Sequence, residues 1–395
     1  MDALLYQYNP WWESARPPSG LYLRERYLGY LQRHLSSKRA LLVTGLRRAG
    51  KTTLLRLLAW RLVEHGVPAE TILYVSVDDY LLRGNSLFDI VEAYRKVHRL
   101  SVDREVTLLF DEVTSQHEFQ QQLKTLVDRE HCRVVASSSS SSLLKDQRGL
   151  LTGRSLTIEV QPLSFAEYLD FSNIHIARRD RRLLESYFRD YVRSGGLPEH
   201  VRSPDREYLM SLVDDIIQKD ITAFHGLRDH QLLRDYFTLL MERSGKQVSI
   251  NKIAKILRLS PDTARRYLGY FEESYLIHPV PRWGKTNERL LSPRKMYACD
   301  LGIKQLFIGD RDWGSYFENY VYLQLRAWGK MIWYVYEDGN EIDFLTDDRM
   351  LVEAKYYDEM SQAQRHLFER FDARRKVIID SVEALSQLAE EHGST

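Results

Sequence analysis

The chain has 395 residues, with 56 lysines and arginines against 55 aspartates and glutamates and 44% hydrophobic content. A chain this long exceeds one core and points to about two to four domains, and its balanced charge leaves only local clusters to speak for or against nucleic acid. Cys132 and Cys299 lie far apart in apolar runs and indicate neither a disulfide framework nor a zinc site; no apolar run approaches the ~18 residues that cross a bilayer. Asp2 and the lack of a basic, apolar leader predict an unprocessed cytoplasmic protein with no membrane partner.

Residues 1–35 read as an entry arm followed by a helix. Asn9-Pro10-Trp11-Trp12 and Arg16-Pro17-Pro18-Ser19-Gly20 are punctuated by proline and show no period. The tryptophans either pack near an adenine or plug the core. Tyr22 to Leu35 repeats apolar residues at helical spacing. A domain over 36–161 comes next. Arg39 to Thr44 predicts a short buried strand, Thr53 to Glu64 an amphipathic helix, and between them Gly45-Leu46-Arg47-Arg48-Ala49-Gly50-Lys51-Thr52 matches G-x-x-x-x-G-K-[ST] in full. Glycines let consecutive backbone N–H groups turn inward on phosphates, Lys51 brings a charge to the β and γ oxygens, Thr52 can ligate Mg²⁺, and the helix N-terminus adds partial positive charge. Gly45, Arg48, Gly50, Lys51, Thr52 and Thr53 are therefore the candidate binding set for ATP with Mg²⁺. Arg47 and Arg48 either reach phosphate or stay solvated.

Ile72 to Val77 reads as a strand ending in Asp78-Asp79, Ser86 to His98 as a helix, and Val106 to Phe110 as a strand ending in Asp111-Glu112. An extra strand therefore lies between the loop strand and the acidic one. Asp111 is predicted to hold the metal and Glu112 to polarise the attacking water; Asp78-Asp79 is either a second functional pair or an ordinary strand end. Gln116 to Glu130 predicts a helix and Arg133 to Ala136 a strand that opens into six serines, Ser137 to Ser142. Ser137 or Ser138 at that strand end is placed to contact the γ-phosphate or the water. Arg154, ahead of a strand over Ser155 to Val160, either acts on the phosphates, in cis or from a neighbouring subunit of a homo-oligomer, or is a surface charge.

Residues 162–230 read as a helical lid, with Ser164 capping a helix to Phe171, a break at Ser194 to Glu199, and helical spacing from Tyr208 to Asp220. Residues 231–290 predict a winged helix: a helix to Glu242, Ser249 capping Ile250 to Leu257, Ser260-Pro261 opening a helix to Ser274, and a strand-like tail over Tyr275 to Trp283. From Arg243 to Arg266 there are seven basic residues and one acid, Asp262, a local balance of 7 − 1 = +6. Thr263, Arg265 and Arg266 face outward on the second helix, as a duplex-DNA surface or as the solvated side of a packing module. In 291–395, Glu318 lies on an amphipathic stretch from Trp313 to Trp328. Met331 to Tyr336 and Glu341 to Thr346 pair around Asp338-Gly339-Asn340, and a third strand covers Met350 to Tyr356. A helix over Ser361 to Phe371 and a strand over Arg375 to Asp380 follow. Glu353 and Lys355 share a face with i, i+2 spacing; with Asp343 they either hold a divalent cation or form a salt-bridged strand pair.

Along nearly its whole length the chain resembles the archaeal and bacterial AAA+-type P-loop ATPases that carry a winged helix and a C-terminal PD-(D/E)xK nuclease-like domain. The matching stretches are Asn9-Pro-Trp-Trp, Gly45-LRRAGKTT, Ile72-LYVSVDD, Phe110-DE, Leu151-TGR, Pro162-LSFAEYL, Gly195-GLPE, and Glu318 with Ile342-Asp343-Phe344 and Val352-EAK. The resemblance implies an α/β fold: a parallel P-loop sheet, a helical lid, a winged helix and a restriction-endonuclease-like α/β domain. It implies Lys51 and Thr52 as loop ligands, Asp111 on metal, Glu112 as catalytic base, and Glu318, Asp343, Glu353 and Lys355 as a nuclease-like site. Phe119 stands where the pattern expects tryptophan, and the serine run departs from it too. The function implied is ATP hydrolysis coupled to DNA binding, with metal-dependent cleavage or, alternatively, a signalling switch whose terminal domain does not cut.

Overall fold

In the computed structural model the loop strand, β1 (Ala40–Thr44), is buried along its whole length. It lies inside a five-stranded sheet whose other members are β2 (Ile72–Ser76), β3 (Val106–Asp111), β4 (Cys132–Ser138) and β5 (Ser155–Glu159), in the order β2-β3-β4-β1-β5. Every pairing is parallel, which explains why these strands read as continuous apolar runs: both faces are covered. The strand between loop and acids is thus β4, and the one that separates them in chain order, β2, is the sheet edge. The structure describes residues 1–13, 20–129, 131–140, 151–177, 180, 182–227 and 229–393. Ser141, Ser142 and Arg16 to Ser19 lie outside that set.

Two compact units divide the chain at Val160. In the first, the arm is not without structure: α1 (Asp2–Tyr8) precedes a single tight turn over Pro10–Trp12, and α2 (Glu25–His34) follows. A helix of seven residues spans two turns, too few for its period to show. Its purpose is legible in the contacts. Asn9 Nδ2 donates to Tyr74 O at 2.9 Å and Asn9 Oδ1 accepts from Tyr74 N at 2.6 Å, while Trp11 and Trp12 Nε1 both donate to Ile72 O. Asn9 thus acts as a one-residue strand on the free edge of β2, and the tryptophans serve packing, Trp11 against Trp60 and Trp12 against Tyr94. Replacing Asn9 with leucine will strand a buried N–H and C=O. A loss of about 3 kcal/mol in urea unfolding is expected.

The helix expected over Gln116 to Glu130 starts later, as α4 (Leu87–Val97) is followed by α5 (Phe119–Asp128); a tight turn at Val113–Ser115 and left-handed Glu118 delay it. Phe119 is buried in the same core as Phe110 and Leu123.

In the second unit, Ser164 caps Phe165–Phe171 through a capping box with Glu167. The helix Arg206–Asp215 passes into a π-helix at Ile216–Ala223, so the expected Tyr208 to Asp220 helix is wound in two ways. Next come His230–Met241, β6 (Gln247–Val248), Ile250–Ile256, Pro261–Glu273, β7 (Ile277–Val280) and β8 (Arg294–Ala298). The three strands form one antiparallel sheet, β6-β8-β7, so β8 joins elements on the far side of the boundary expected at 290. The Gly195-Gly196 break is explained by Asp300: Gly196 N donates to Asp300 Oδ2 at 2.6 Å, and a Cβ on Gly195 would meet Asp300 Oδ1 at 2.1 Å. The chain then forms helices over Leu301–Ile308 and Trp313–Ala327. The last sheet contains β9 (Ile332–Glu337), β10 (Asn340–Thr346), β11 (Met350–Ala354) and β12 (Arg375–Ile379), in the order β12-β11-β10-β9. Asp338 and Gly339 both take positive φ, the two-residue turn whose twist suits a hairpin.

Candidate functional site

At the carboxyl ends of β1, β3 and β4 the predicted nucleotide residues come together. Val43 lies beside Ser137 and Thr44 beside Ser138, while Phe110 lies beside Ala136, so the serine strand separates loop from acids by one strand spacing on each side. Gly45 takes φ +136°, and a Cβ there would stand 2.2 Å from Val160 O; only glycine fits against the end of β5. Gly50, at φ +100°, is the left-handed N-cap of the helix Lys51–Glu64 (α3). That helix starts with buried Lys51 and exposed Thr52 and Thr53. Lys51 Nζ donates to Gly45 O at 3.0 Å and Leu46 O at 3.1 Å, so the ammonium is held inside the curl of its own loop. Arg48 is exposed and left-handed, Arg47 half-buried, and Arg24 braces the loop from α2 by donating to Ala49 O.

Asp111 is buried, accepting from Tyr74 Oη at 3.0 Å and from Ser137 Oγ. Ser137 Oγ also accepts from Glu112 N at 3.0 Å, tying the two acids to the neighbouring strand. Glu112 sits at φ 50°, ψ 46°, a left-handed conformation that a non-glycine residue adopts at a cost and that turns its carboxylate off the strand direction. Ser139 then holds it, Oγ donating to Glu112 Oε1 at 2.6 Å and N to Oε2 at 3.3 Å. Ser139 was not singled out in the sequence, where it is one of six identical residues; only the register separates their roles. Ser138 Oγ meets Thr114 Oγ1 at 3.2 Å. Thr52 and Asp111 fit a nucleotide-bound Mg²⁺, as an exposed hydroxyl at a helix N-terminus and a buried carboxylate one strand beyond the serine strand. Ser137→Ala should lower phosphate release by roughly 10–100-fold, the range for misplaced catalytic groups, with nucleotide affinity retained in a fluorescent-analogue titration.

Two other candidates have partners of their own. Arg154 precedes β5 at the sheet edge opposite the loop: Ser155 pairs with Ala40, at the start of β1, and Ala40 N donates to Arg154 O. The loop begins five residues further along, about 16 Å at strand rise, and Arg154 is paired with Asp128 at 3.0 Å, so it is not placed to reach phosphates held by its own loop. Asp78 and Asp79 are held as strand-end acids, Asp78 by Ser76 Oγ and Asp79 by Tyr8 Oη and Leu81 N. The Tyr8 hydroxyl, with Leu81 N, holds the Asp79 carboxyl below its ordinary range.

In the second unit, Thr263 closes the cap of its helix with Ser260 Oγ. Arg265 and Arg266 are exposed; Arg265 pairs with Asp262 at 2.7 Å and Arg266 lies over Tyr267. Glu318, Asp343, Glu353 and Lys355 do converge. A β-bulge between Ile342 and Leu345 falls at Asp343, whose N donates to Glu353 Oε2 at 3.0 Å and whose Oδ2 accepts from Ala354 N at 3.0 Å. Lys355, just past the end of β11, pairs with Glu353 at 2.9 Å. A residue absent from the sequence reading stands at the centre. The Lys295 side chain is fully buried, its Nζ 2.6 Å from Glu318, 2.7 Å from Glu341 and 3.0 Å from Asp343. Its one advance signal is a charge at the start of β8, beside Arg294 and directly ahead of the apolar Met296-Tyr297-Ala298.

Burial pushes the Glu318 carboxyl up to about 7 and that of Glu353 to about 8, each reinforced by the Asp343 charge. For Lys295 burial works against the ammonium, but Asp343 and Glu318 outweigh it and hold it well above the ordinary lysine range. Glu318, Asp343 and Lys355 open onto a cleft of 550 Å³ that Lys246 and Asp312 also line. These residues do not fit a divalent ion: among the described residues no group of three acids, histidines or cysteines has a metal-holding geometry, and the place between the acids belongs to an ammonium.

Comparison with known proteins divides the chain in a similar way. Residues 37–169 match the family model of an AAA domain, and residues 185–312 match a domain of unknown function (DUF8612). An uncharacterized protein of Methanocaldococcus jannaschii is 26% identical over 86% of this chain and 80% of its own length. One from Haemophilus influenzae is 25% identical over 90% and 92%. Among solved structures, AMPPCP-bound DnaA from Aquifex aeolicus is 19% identical over 65% of this chain and 89% of that one, with a TM-score of 0.28, too low to carry an argument. No helix among the described residues is long and apolar enough to cross a membrane.

Proposed function

We propose that this AAA domain binds and hydrolyses ATP with Mg²⁺, and that its nucleotide state governs a DNA-contacting winged helix. The carrying observation is the meeting of Lys51 and Thr52 with Asp111, Glu112 and Ser137 at one end of the parallel sheet. Lys51 and the loop N–H groups bind the phosphates, Thr52 and Asp111 hold Mg²⁺, Glu112 accepts a proton from the attacking water, and Ser137 fixes the acids relative to the loop. Bound Mg²⁺ supplies charge neutralisation at the phosphate oxygens. In this reading Arg154 acts on phosphates only from a neighbouring copy in a homo-oligomer.

The order helix, β6, helix, helix, β7, β8 with the sheet β6-β8-β7 supports the winged-helix reading, and exposed Arg265 and Arg266 support phosphate contact. We also read the terminal sheet as nuclease-like. Lys295 stands among the acids that would have to hold the metal for cleavage, so DNA binding and not cutting is the activity proposed for this unit. Fluorescence anisotropy with duplex DNA at several salt concentrations tests the interface. Replacing Arg265 and Arg266 together should reduce the salt slope by about two units, at roughly 0.9 per phosphate contact. An unchanged slope would remove both arginines from the DNA surface.

A further inference from the structure

An ammonium has three N–H donors and no acceptor. Lys295 Nζ lies within 3.0 Å of carboxylates at three positions, Glu318 on the helix Trp313–Ala327 and Glu341 and Asp343 on β10, and donates to Asp343 Oδ1. The acids are themselves pinned. Glu318 Oε1 accepts from Tyr297 Oη at 2.7 Å, Glu341 Oε2 from Gln247 Nε2 at 2.7 Å, and Asp343 Oδ2 from Ala354 N. Glu353, the fourth acid, is turned to Asp343 N and to Lys355, and so occupies the lysine that would otherwise orient water. The contact distances to Lys295, 2.6 to 3.0 Å, suit N–H···O bonds and are longer than the ~2.0–2.1 Å that Mg²⁺ requires. A divalent ion entering between Glu318 and Asp343 would meet a like charge at contact distance, on a side chain with no exposure through which to withdraw.

Resting on the nuclease-like reading of the terminal sheet, we propose that Lys295 is a built-in cation in the place where such a site would hold its metal, so that the terminal acids bind no divalent ion there and do not hydrolyse phosphodiesters. Four acids and two lysines share the cluster. The 550 Å³ cleft beside it, rimmed by Lys246, Lys355, Asp312 and Asp358, keeps an ordered polar floor.

Calorimetric titration of nucleotide-free, full-length protein with Mn²⁺ tests this independently of ATP turnover. The parent should show no Mn²⁺ uptake that Asp343→Asn or Glu318→Gln removes, and no nicking of circular DNA in Mn²⁺. Lys295→Met, which leaves three carboxylates without their cation, should gain Mn²⁺ binding at least tenfold over the parent and show a melting temperature that Mn²⁺ raises. Stoichiometric Mn²⁺ binding by the parent that Asp343→Asn abolishes would overturn the proposal, as would a folded Lys295→Met that takes up no Mn²⁺. Should Lys295→Met fail to fold, the parent and the two acid variants decide the matter alone.

Discussion

Glu112→Gln will bind ATP about as well as the parent and release phosphate roughly 10²–10⁴-fold more slowly, the range for loss of a general base. Glutamine keeps the shape, and with its amide oxygen toward Ser139 N and its amide nitrogen donating to Ser139 Oγ it can keep both contacts, so the left-handed turn at Glu112 is retained. What it loses is the capacity to take a proton. Affinity for a fluorescent ATP analogue and the rate of phosphate release, measured on the same preparation, separate the two effects. Parent-rate hydrolysis by this variant would take the catalytic role from Glu112.

Lys51→Ala should fail one step earlier. Lys51 Nζ lies within 3.1 Å of two loop carbonyls, which holds the buried ammonium inside the curl of the loop. Removing a charged hydrogen-bond donor at a phosphate costs about 1.5–3 kcal/mol, which is roughly a 10–100-fold loss of affinity. Titration with the same analogue measures it. Binding at parent strength would mean that the loop N–H groups and the α3 N-terminus suffice alone.

The proposed nucleotide site was legible because each of its parts is a consecutive stretch: the loop motif sits between a strand and a helix, and Asp111-Glu112 closes a run of strand formers. Local chemistry also announced Ser164 and Ser260 as caps and Asp338-Gly339 as a hairpin turn. Roles that depend on register were hidden. Nothing in six serines marks Ser137 as the link between the acids or Ser139 as the holder of Glu112, and Arg154 reads as near the phosphates until the parallel register puts it at the other end of the sheet. Long-range partners were hidden more deeply. Asn9 acquires its meaning only against the edge of β2, and Lys295 only when β8, β10 and the Glu318 helix are assembled. The terminal acids were read as able to converge on a cation. The cation found among them is one that the chain carries itself.

Phosphate release from ATP, followed while duplex DNA is titrated into the parent protein, tests the central claim most directly. The account predicts turnover that rises with DNA, and a rise that weakens when salt is added or when Arg265 and Arg266 are replaced. Turnover that stays constant at every DNA concentration would contradict it and leave a nucleotide switch that answers to a protein partner.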